Sequence, residues 1–329
     1  MIILLCLGIE STAHTFGIGI VDSQCNVLSN VKSACSTESG GLIPKELFSH
    51  HVENAKSTTQ RALAEAKISM KDIDLISFSA GPGIGQALSV GATTARMLSL
   101  HNNIPLLGVN HCVSHIEIGK KKTGSKDPII VYASGANTQI VGYESGRYRI
   151  YGETLDTGIG NLLDSFGREL GLGFPAGPAI DRMYFEAKDY IELPYSVKGM
   201  DLAFSGLLTA AKAKITPNNH TEIAHSLMHT AFAMLAEVSE RALAHTEKNE
   251  LMLTGGVAAS RALQKMLFEM CEDRGAKFFP CPAPLAADNG AMIAWQGIVE
   301  HSACRKQKIS ETEIDPKWRT DQVDVFWLD

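Results

Sequence analysis

Apolar and polar positions alternate along this chain with two periods, and the order in which the periods occur is repeated. Ile2 to Ile9 is continuously apolar, as expected of a central strand buried on both faces. After the polar break Glu10-Ser11-Thr12, Phe16-Gly17-Ile18-Gly19-Ile20 alternates with period two, and Asp22-Ser23-Gln24-Cys25-Asn26 supplies a turn before Val27-Leu28. The pattern predicts a strand, a polar loop and a hairpin. From Ile129 the same order returns: apolar Ile129 to Ala133, the loop Ser134-Gly135-Ala136-Asn137-Thr138, strand Gln139 to Tyr143, turn Glu144-Ser145-Gly146 and strand Arg147 to Tyr151.

Each copy is followed by helix-period stretches, Leu47 to Ala66 in the first half and Asn161 to Leu172 in the second. Further on, strand Leu75 to Phe78 runs into Gly81-Pro82-Gly83-Ile84-Gly85 and a helix to about Leu100. Its echo is helix Glu222 to His245, with Ile223, Leu227, Met234, Leu235 and Val238 on one face, then strand Leu251 to Leu253 and Gly255-Gly256. A duplicated strand, hairpin and helix unit predicts an α/β protein of two similar lobes. The expected division is residues 1–128 and 129–329, with the final helix packing back on the first lobe.

Composition narrows the class. With 45% apolar and 20% charged residues in 329, the chain has the means to bury a core and is not disordered. The formal net charge of −6 supplies no global field for nucleic acid, so RNA binding must be local or shared with partners. Met1 to Leu7, the longest apolar run, is too short for a membrane span and reads as a strand rather than a signal peptide. The 7 cysteines are odd in number, scattered and never spaced CxxC, which points to a reducing cytoplasm and excludes a disulfide framework or zinc knuckle. The run Lys120-Lys121-Lys122 is read as a solvated loop in preference to an RNA contact.

The residues able to carry chemistry begin at Asn110-His111-Cys112-Val113-Ser114-His115. Asn110 suits an N-cap, and residues four apart share a helix face, so His111 and His115 can converge on one metal ion. The positive end of the helix dipole is expected to keep both imidazoles neutral. Residue 112 is cysteine where a zincin carries its catalytic glutamate, so peptide hydrolysis by that route has no base. Further ligands are sought among oxygen donors, Tyr132 at a strand end and Asp288 in Ala287-Asp288-Asn289-Gly290; Asp288 is equally suited to N-capping. Iron, zinc and manganese all suit such donors.

Three loops, Gly81 to Gly85, Ser134 to Thr138 and Gly255 to Ala259, could let backbone N–H groups approach phosphate, although none is a Walker or complete Rossmann motif. Their number on duplicated lobes fits a nucleotide held between them. The carboxylates Asp156, Asp164 and Asp181 lie near these loops, where a carboxylate can accept from ribose hydroxyls.

The segments Gly108-Val109-Asn110-His111, Tyr132 to Gln139, Gly152 to Asp156, Gly160 to Asp164 and Asp288 to Met292 together resemble the universal tRNA threonylcarbamoyladenosine transferase family, TsaD-like in bacteria. Lys198 to Thr209 and the ending Trp318-Arg319-Thr320-Asp321 resemble its archaeal branch, where the family member is the catalytic subunit of the KEOPS complex. The resemblance implies the actin, sugar-kinase and heat-shock ATPase (ASKHA) fold, with a nucleotide and a metal in the cleft between two duplicated lobes. It implies one metal, iron or zinc, on His111, His115, Tyr132 and Asp288. It places Tyr132, Ala133, Ser134, Gly135 and Ala136, with Gly255 and Gly256, at the phosphates of an adenine nucleotide (threonylcarbamoyl-AMP, ATP or AMP); Asp164, Gly177 and Asp181 at the ribose; and Ser260 near the adenine. Glu10 is the candidate general base. The chain departs from the family at Ala136 and Ala176, which replace glycines, at Asp181 for glutamate, at Ser260 for asparagine and at Ser89 for arginine.

The implied activity is transfer of threonylcarbamoyl from its adenylate to N6 of the adenosine beside the anticodon, with tRNA, an atypical kinase and a small dimerising subunit as partners and no membrane. The competing readings are a nucleotide-gated scaffold without chemistry of its own, and a metalloprotease, which the missing glutamate disfavours.

Overall fold

The computed structural model describes residues 3–35 and 43–328; Met1 and Ile2 of the first apolar run lie outside them. In chain order the elements begin β1 (Leu5–Glu10), β2 (Thr15–Asp22), β3 (Val27–Ala34), α1 (Pro44–Ala66), β4 (Leu75–Gly81), α2 (Gly85–Asn102), β5 (Leu106–Asn110) and α3 (His111–Thr123). They continue with β6 (Ile129–Ala133), β7 (Thr138–Glu144), β8 (Arg147–Glu153), α4 (Ile159–Glu169), α5 (Gly177–Glu186), β9 (Val197–Lys198), β10 (Asp201–Leu202), α6 (Ser205–Ala213) and α7 (His220–Thr246). The last are β11 (Glu250–Thr254), α8 (Arg261–Arg274), β12 (Lys277–Pro280), α9 (Ala283–Ala286) and α10 (Gly290–Ser302).

The duplication read from the pattern is present in the topology. One five-stranded sheet has the order β3-β2-β1-β4-β5 and the other β12-β11-β6-β7-β8. Substituting β6 for β1, β7 for β2, β8 for β3, β11 for β4 and β12 for β5 converts one into the other. The first strand of each pairs antiparallel with the hairpin strand and parallel with the crossover strand.

The chain divides into two compact units, Met1–Lys121 with Ser145–Arg147 and Asp288–Asp329, and Lys122–Glu144 with Tyr148–Ala287. Residues 288–329 are grouped with the first unit. The cause is α10, which lies across β1, β2 and β4.

How α10 is seated determines the site. Side chains alternate across a strand, so Leu7, Ile9, Ile18 and Ile20 enter the core with Phe78, Val90 and Ala95, while Gly8 and Gly19 face the other way. Gly8 and Gly19 are register partners, and a Cβ on either would lie 2.2 Å or 2.1 Å from the backbone of α10. The helix backbone rests directly on this glycine pair. Any side chain there would push α10 off the sheet and displace the turn preceding it, which carries Asp288.

In the second unit α7 is buried along most of its length and packs against β6, β7 and β11, with Ile223, Leu227, Met234, Leu235 and Val238 all fully enclosed. Around it lie α4, α5, α6 and α8.

Candidate functional site

The first cluster is built at the junction of β5 and α3. Asn110 Oδ1 accepts the Val113 N–H at 3.1 Å, the N-cap expected from the sequence, and this starts α3 with His111 and His115 on one face. Asp288 is free of capping duty because its neighbour Asn289 performs it, accepting the Met292 N–H at 3.0 Å. The carboxylate of Asp288 instead meets the histidines, Oδ1 lying 3.2 Å from His115 Nε2 and 3.5 Å from His111 Nε2. One donor atom from each of the three residues falls within 4.8 Å of the others. Two imidazole nitrogens and a carboxylate oxygen at this spacing fit a divalent transition metal such as zinc or iron.

Glu10 stands behind this triad, fully buried. Its Oε2 accepts from His111 Nδ1 at 2.9 Å, and its Oε1 accepts the Thr12 N–H and hydroxyl at 2.7 and 2.5 Å. Both oxygens are committed. Glu10 thus orients His111, fixing the proton on Nδ1 and presenting the Nε2 lone pair to an ion. Thr12, which secures Glu10, was not singled out in the sequence; its place in the polar loop directly after a buried strand was the available signal.

The charge state corrects one expectation. Burial disfavours charge on His111, but Glu10 and Asp288 outweigh it and hold its pKa up to about 9, so the helix dipole does not keep this imidazole neutral in the metal-free protein. His115 follows the expectation, since burial lowers its pKa despite Asp288. Burial alone would raise Asp288; the charge on His111 and the bond from His115 reverse this and hold it far below the usual carboxylate range.

The second cluster belongs entirely to the second unit, as does Tyr132, buried near the end of β6. The following loop closes on itself through Ser134 N–H to the Asn137 carbonyl at 2.9 Å. The start of α4 then docks on it, Gly160 N–H reaching the Ser134 carbonyl and Asn161 N–H the Gly135 carbonyl, both at 3.0 Å. A Cβ at Gly158 would lie 2.3 Å from the Gly135 oxygen, so this contact needs glycine. Gly255, with φ of +97°, approaches the backbone of Ala133 equally closely. The structure therefore brings Ala133, Ser134, Gly135 and Gly255 together, and identifies Gly158 as a further necessary position.

Asp164 Oδ1 accepts the Ala176 N–H at 2.8 Å, fixing the loop that leads into Gly177. Asp181 accepts from the Ser260 hydroxyl at 2.6 Å, the Ala262 N–H at 3.1 Å and Arg261 Nε at 3.3 Å. Two positions where the chain departs from the family motif, Asp181 and Ser260, are thus bonded to each other and cap α8 together, Ser260 Oγ accepting the Leu263 N–H and Asp181 Oδ1 the Ala262 N–H. Asp156 is structural, receiving the Phe204 and Ser205 N–H groups at the start of α6.

The Gly81 loop is tied to the chain around it. Its Gly83 and Ile84 N–H groups are spent on the Pro316 and Thr12 carbonyls, and a Cβ at Gly81 would strike the Asp315 oxygen. Ser89 turns back onto the Gln86 carbonyl. The lysine run, expected as a solvated loop, lies instead in the last turns of α3, where Lys120 pairs with Glu117 and Lys121 lies 5.5 Å above the Trp295 ring.

Duplicated sheets of this order define the ASKHA class, and comparisons with solved structures agree. The HypF protein of T. kodakarensis superposes with a TM-score of 0.61 at 15% identity, over 91% of this chain and 48% of that one. The ROK hexokinase of Thermus thermophilus gives 0.51 at 14%, over 92% and 99%. The family model described as TsaD, tRNA N6-adenosine threonylcarbamoyltransferase, matches residues 26–295. A tRNA N6-adenosine threonylcarbamoyltransferase of Thermococcus kodakarensis is 52% identical over 98% of this chain and 100% of its own length. A probable bifunctional tRNA threonylcarbamoyladenosine biosynthesis protein of Methanothermobacter thermautotrophicus is 49% identical over 99% of this chain and 61% of its own length. The chain belongs to the TsaD family of tRNA N6-adenosine threonylcarbamoyltransferases and is a transferase. No helix among the described residues is long and apolar enough to cross a membrane.

Proposed function

We propose that this transferase moves a threonylcarbamoyl group from threonylcarbamoyl-AMP to N6 of the adenosine 3′ of the anticodon, in tRNAs reading codons that begin with A. The observation that carries the reading is the convergence of His111, His115 and Asp288, with Glu10 behind His111, in a chain of this family. In the reaction N6 forms a bond to the carbamoyl carbon and loses one proton, while the bond from that carbon to the phosphate oxygen breaks and AMP leaves with the electron pair. His111, His115 and Asp288, with Tyr132 as a further oxygen donor, would hold a metal, iron or zinc, which when bound would supply Lewis-acid polarisation of the carbamoyl carbonyl.

The protein's own part is to hold and orient. Glu10 keeps His111 in the ligating tautomer. The backbone from Tyr132 to Ala136, with Gly255 and Gly256, receives the phosphate; Asp164, Gly177 and Asp181 frame the ribose and Ser260 the adenine. With a net charge of −6, the grip on tRNA comes from other subunits of a KEOPS-like assembly in the cytoplasm, an atypical kinase and a small dimerising protein among them. The bifunctional name of the longer Methanothermobacter relative supports a second activity working alongside this one.

The test is reconstitution with those partners, tRNA, threonylcarbamoyl-AMP and defined metal, followed by mass spectrometry of the tRNA nucleosides. Metal-dependent product that disappears in His111→Ala is expected. Metal-loaded protein with intact tRNA and no product would overturn transfer in favour of a nucleotide-gated scaffold.

A further inference from the structure

Glu10, Gly17 and Lys32 stand side by side on β1, β2 and β3, as two successive pairs of register partners. All three project from the face that carries α10, because Ile9, Ile18 and Val31, one residue away on each strand, enter the opposite core. The middle position has no side chain. A Cβ at Gly17 would lie 3.1 Å from Gly290 N and 3.5 Å from Glu10 Cβ, so the turn carrying Asp288 closes directly over this row. Lys32 and Glu10 are two strand spacings apart, about 10 Å, and a flexible four-carbon stem spans most of that distance. Burial lowers the pKa of the half-buried Lys32, and the carboxylates of Asp288 and Glu10 act on it in the opposite direction.

We propose that Lys32 forms a carboxylate-binding subsite of this centre: its ammonium, delivered across Gly17 beside Glu10 and Asp288, takes the carboxylate of the acyl donor. The inference rests on the transfer reading above. Charge balance supports it. Glu10 and Asp288 neutralise a divalent ion, and Lys32 then makes the centre positive, as a donor carrying both a carboxylate and a phosphate requires. The choice of carboxylate over phosphate follows from placement: Lys32 belongs to the unit holding His111, His115 and Asp288, whereas the backbone loops read as phosphate-binding belong to the other.

The test compares threonylcarbamoyl-AMP with the analogue whose threonyl carboxylate is a carboxamide. The wild-type protein is expected to favour the carboxylate donor by roughly ten- to a hundredfold in kcat/KM; Lys32→Met loses that preference and Lys32→Arg keeps most of it. Bound metal, measured by elemental analysis, and AMP affinity, measured by calorimetry, stay at the wild-type level in Lys32→Met. Retained preference in Lys32→Met overturns the proposal, and so does a matching fall in affinity for AMP or inorganic phosphate, which would put the ammonium on the phosphate. A second arm needs no turnover: N-carbamoylthreonine should bind the wild type at least tenfold more tightly than Lys32→Met. Equal binding overturns the Lys32 subsite, whereas unequal binding without any turnover overturns the transfer reading alone.

Discussion

Set beside each other, the two sheets share one strand order and differ in what they place at the strand ends. Where β1 ends, the chain puts Glu10, Ser11 and Thr12, and where β5 ends, it puts Asn110 and His111. At the matching end of β6 stand Ser134 and Gly135, and after β11, the counterpart of β4, stand Gly255 and Gly256. The first unit works with charged side chains, each held by another, and the second with backbone brought close by missing side chains. One topology therefore supplies positions and leaves the chemistry to the residues placed there.

The sharpest way to break this division is a crossed pair of substitutions. Asp288→Ala removes a donor and leaves the charge on His111 buried among fewer partners. Metal affinity should fall by more than the roughly 100-fold that loss of a merely supporting residue costs, with AMP affinity unchanged. Gly158→Ala should do the reverse, forcing the 134–137 loop off α4 at a cost of about 1–3 kcal/mol and weakening AMP binding while metal content holds. Metal titration and calorimetry on both variants decide it; if either variant lost both ligands equally, the two clusters would not be separable.

Much of this was legible beforehand because it rests on local signals. Periodicity showed the duplication, the i, i+4 spacing showed the histidine pair, and Asn110 showed where α3 begins. What stayed hidden depends on long-range packing. Nothing near Glu10 in the chain shows that both its oxygens are taken, one by His111, which lies 101 residues away. The seat that Gly8 and Gly19 make for the backbone of α10 requires knowing which strands pair. Asp288 suited capping as well as ligation, and only the backbone geometry, which gives the cap to Asn289, leaves its carboxylate to the histidines.

The first unit's reliance on buried titratable groups should also appear as acid sensitivity. His51 is fully buried against Phe16, and burial, aided by His50, lowers its pKa to about 4 from the ordinary 6.5. The unfolded chain takes up this proton first, so the stability His51 contributes is complete above pH 6.5 and is lost as pH falls toward 4. The loss amounts to about 3 kcal/mol. Urea denaturation of metal-free protein at pH 7 and pH 4.5 should show a smaller acid loss for His51→Gln than for the wild type. Hydrogen exchange should place the acid-sensitive opening in β2 and α1; an identical loss in both proteins would remove His51 from the account.

The smallest expected effect asks whether the second unit's side chains act as scaffold, as its dependence on backbone implies. Ser260 both caps α8 and donates to Asp181. If its role is the cap, Ser260→Ala costs about 1 kcal/mol and lowers the melting temperature by about 2 °C, with AMP affinity falling only slightly because Ala262 N–H and Arg261 still hold Asp181. Thermal melts and AMP titration on the same preparation separate the roles. A tenfold loss of AMP affinity without a change in melting temperature would mean that the hydroxyl serves the ligand. The second unit would then spend a side chain on recognition as the first does, and the contrast between the two sheets would narrow to their glycines.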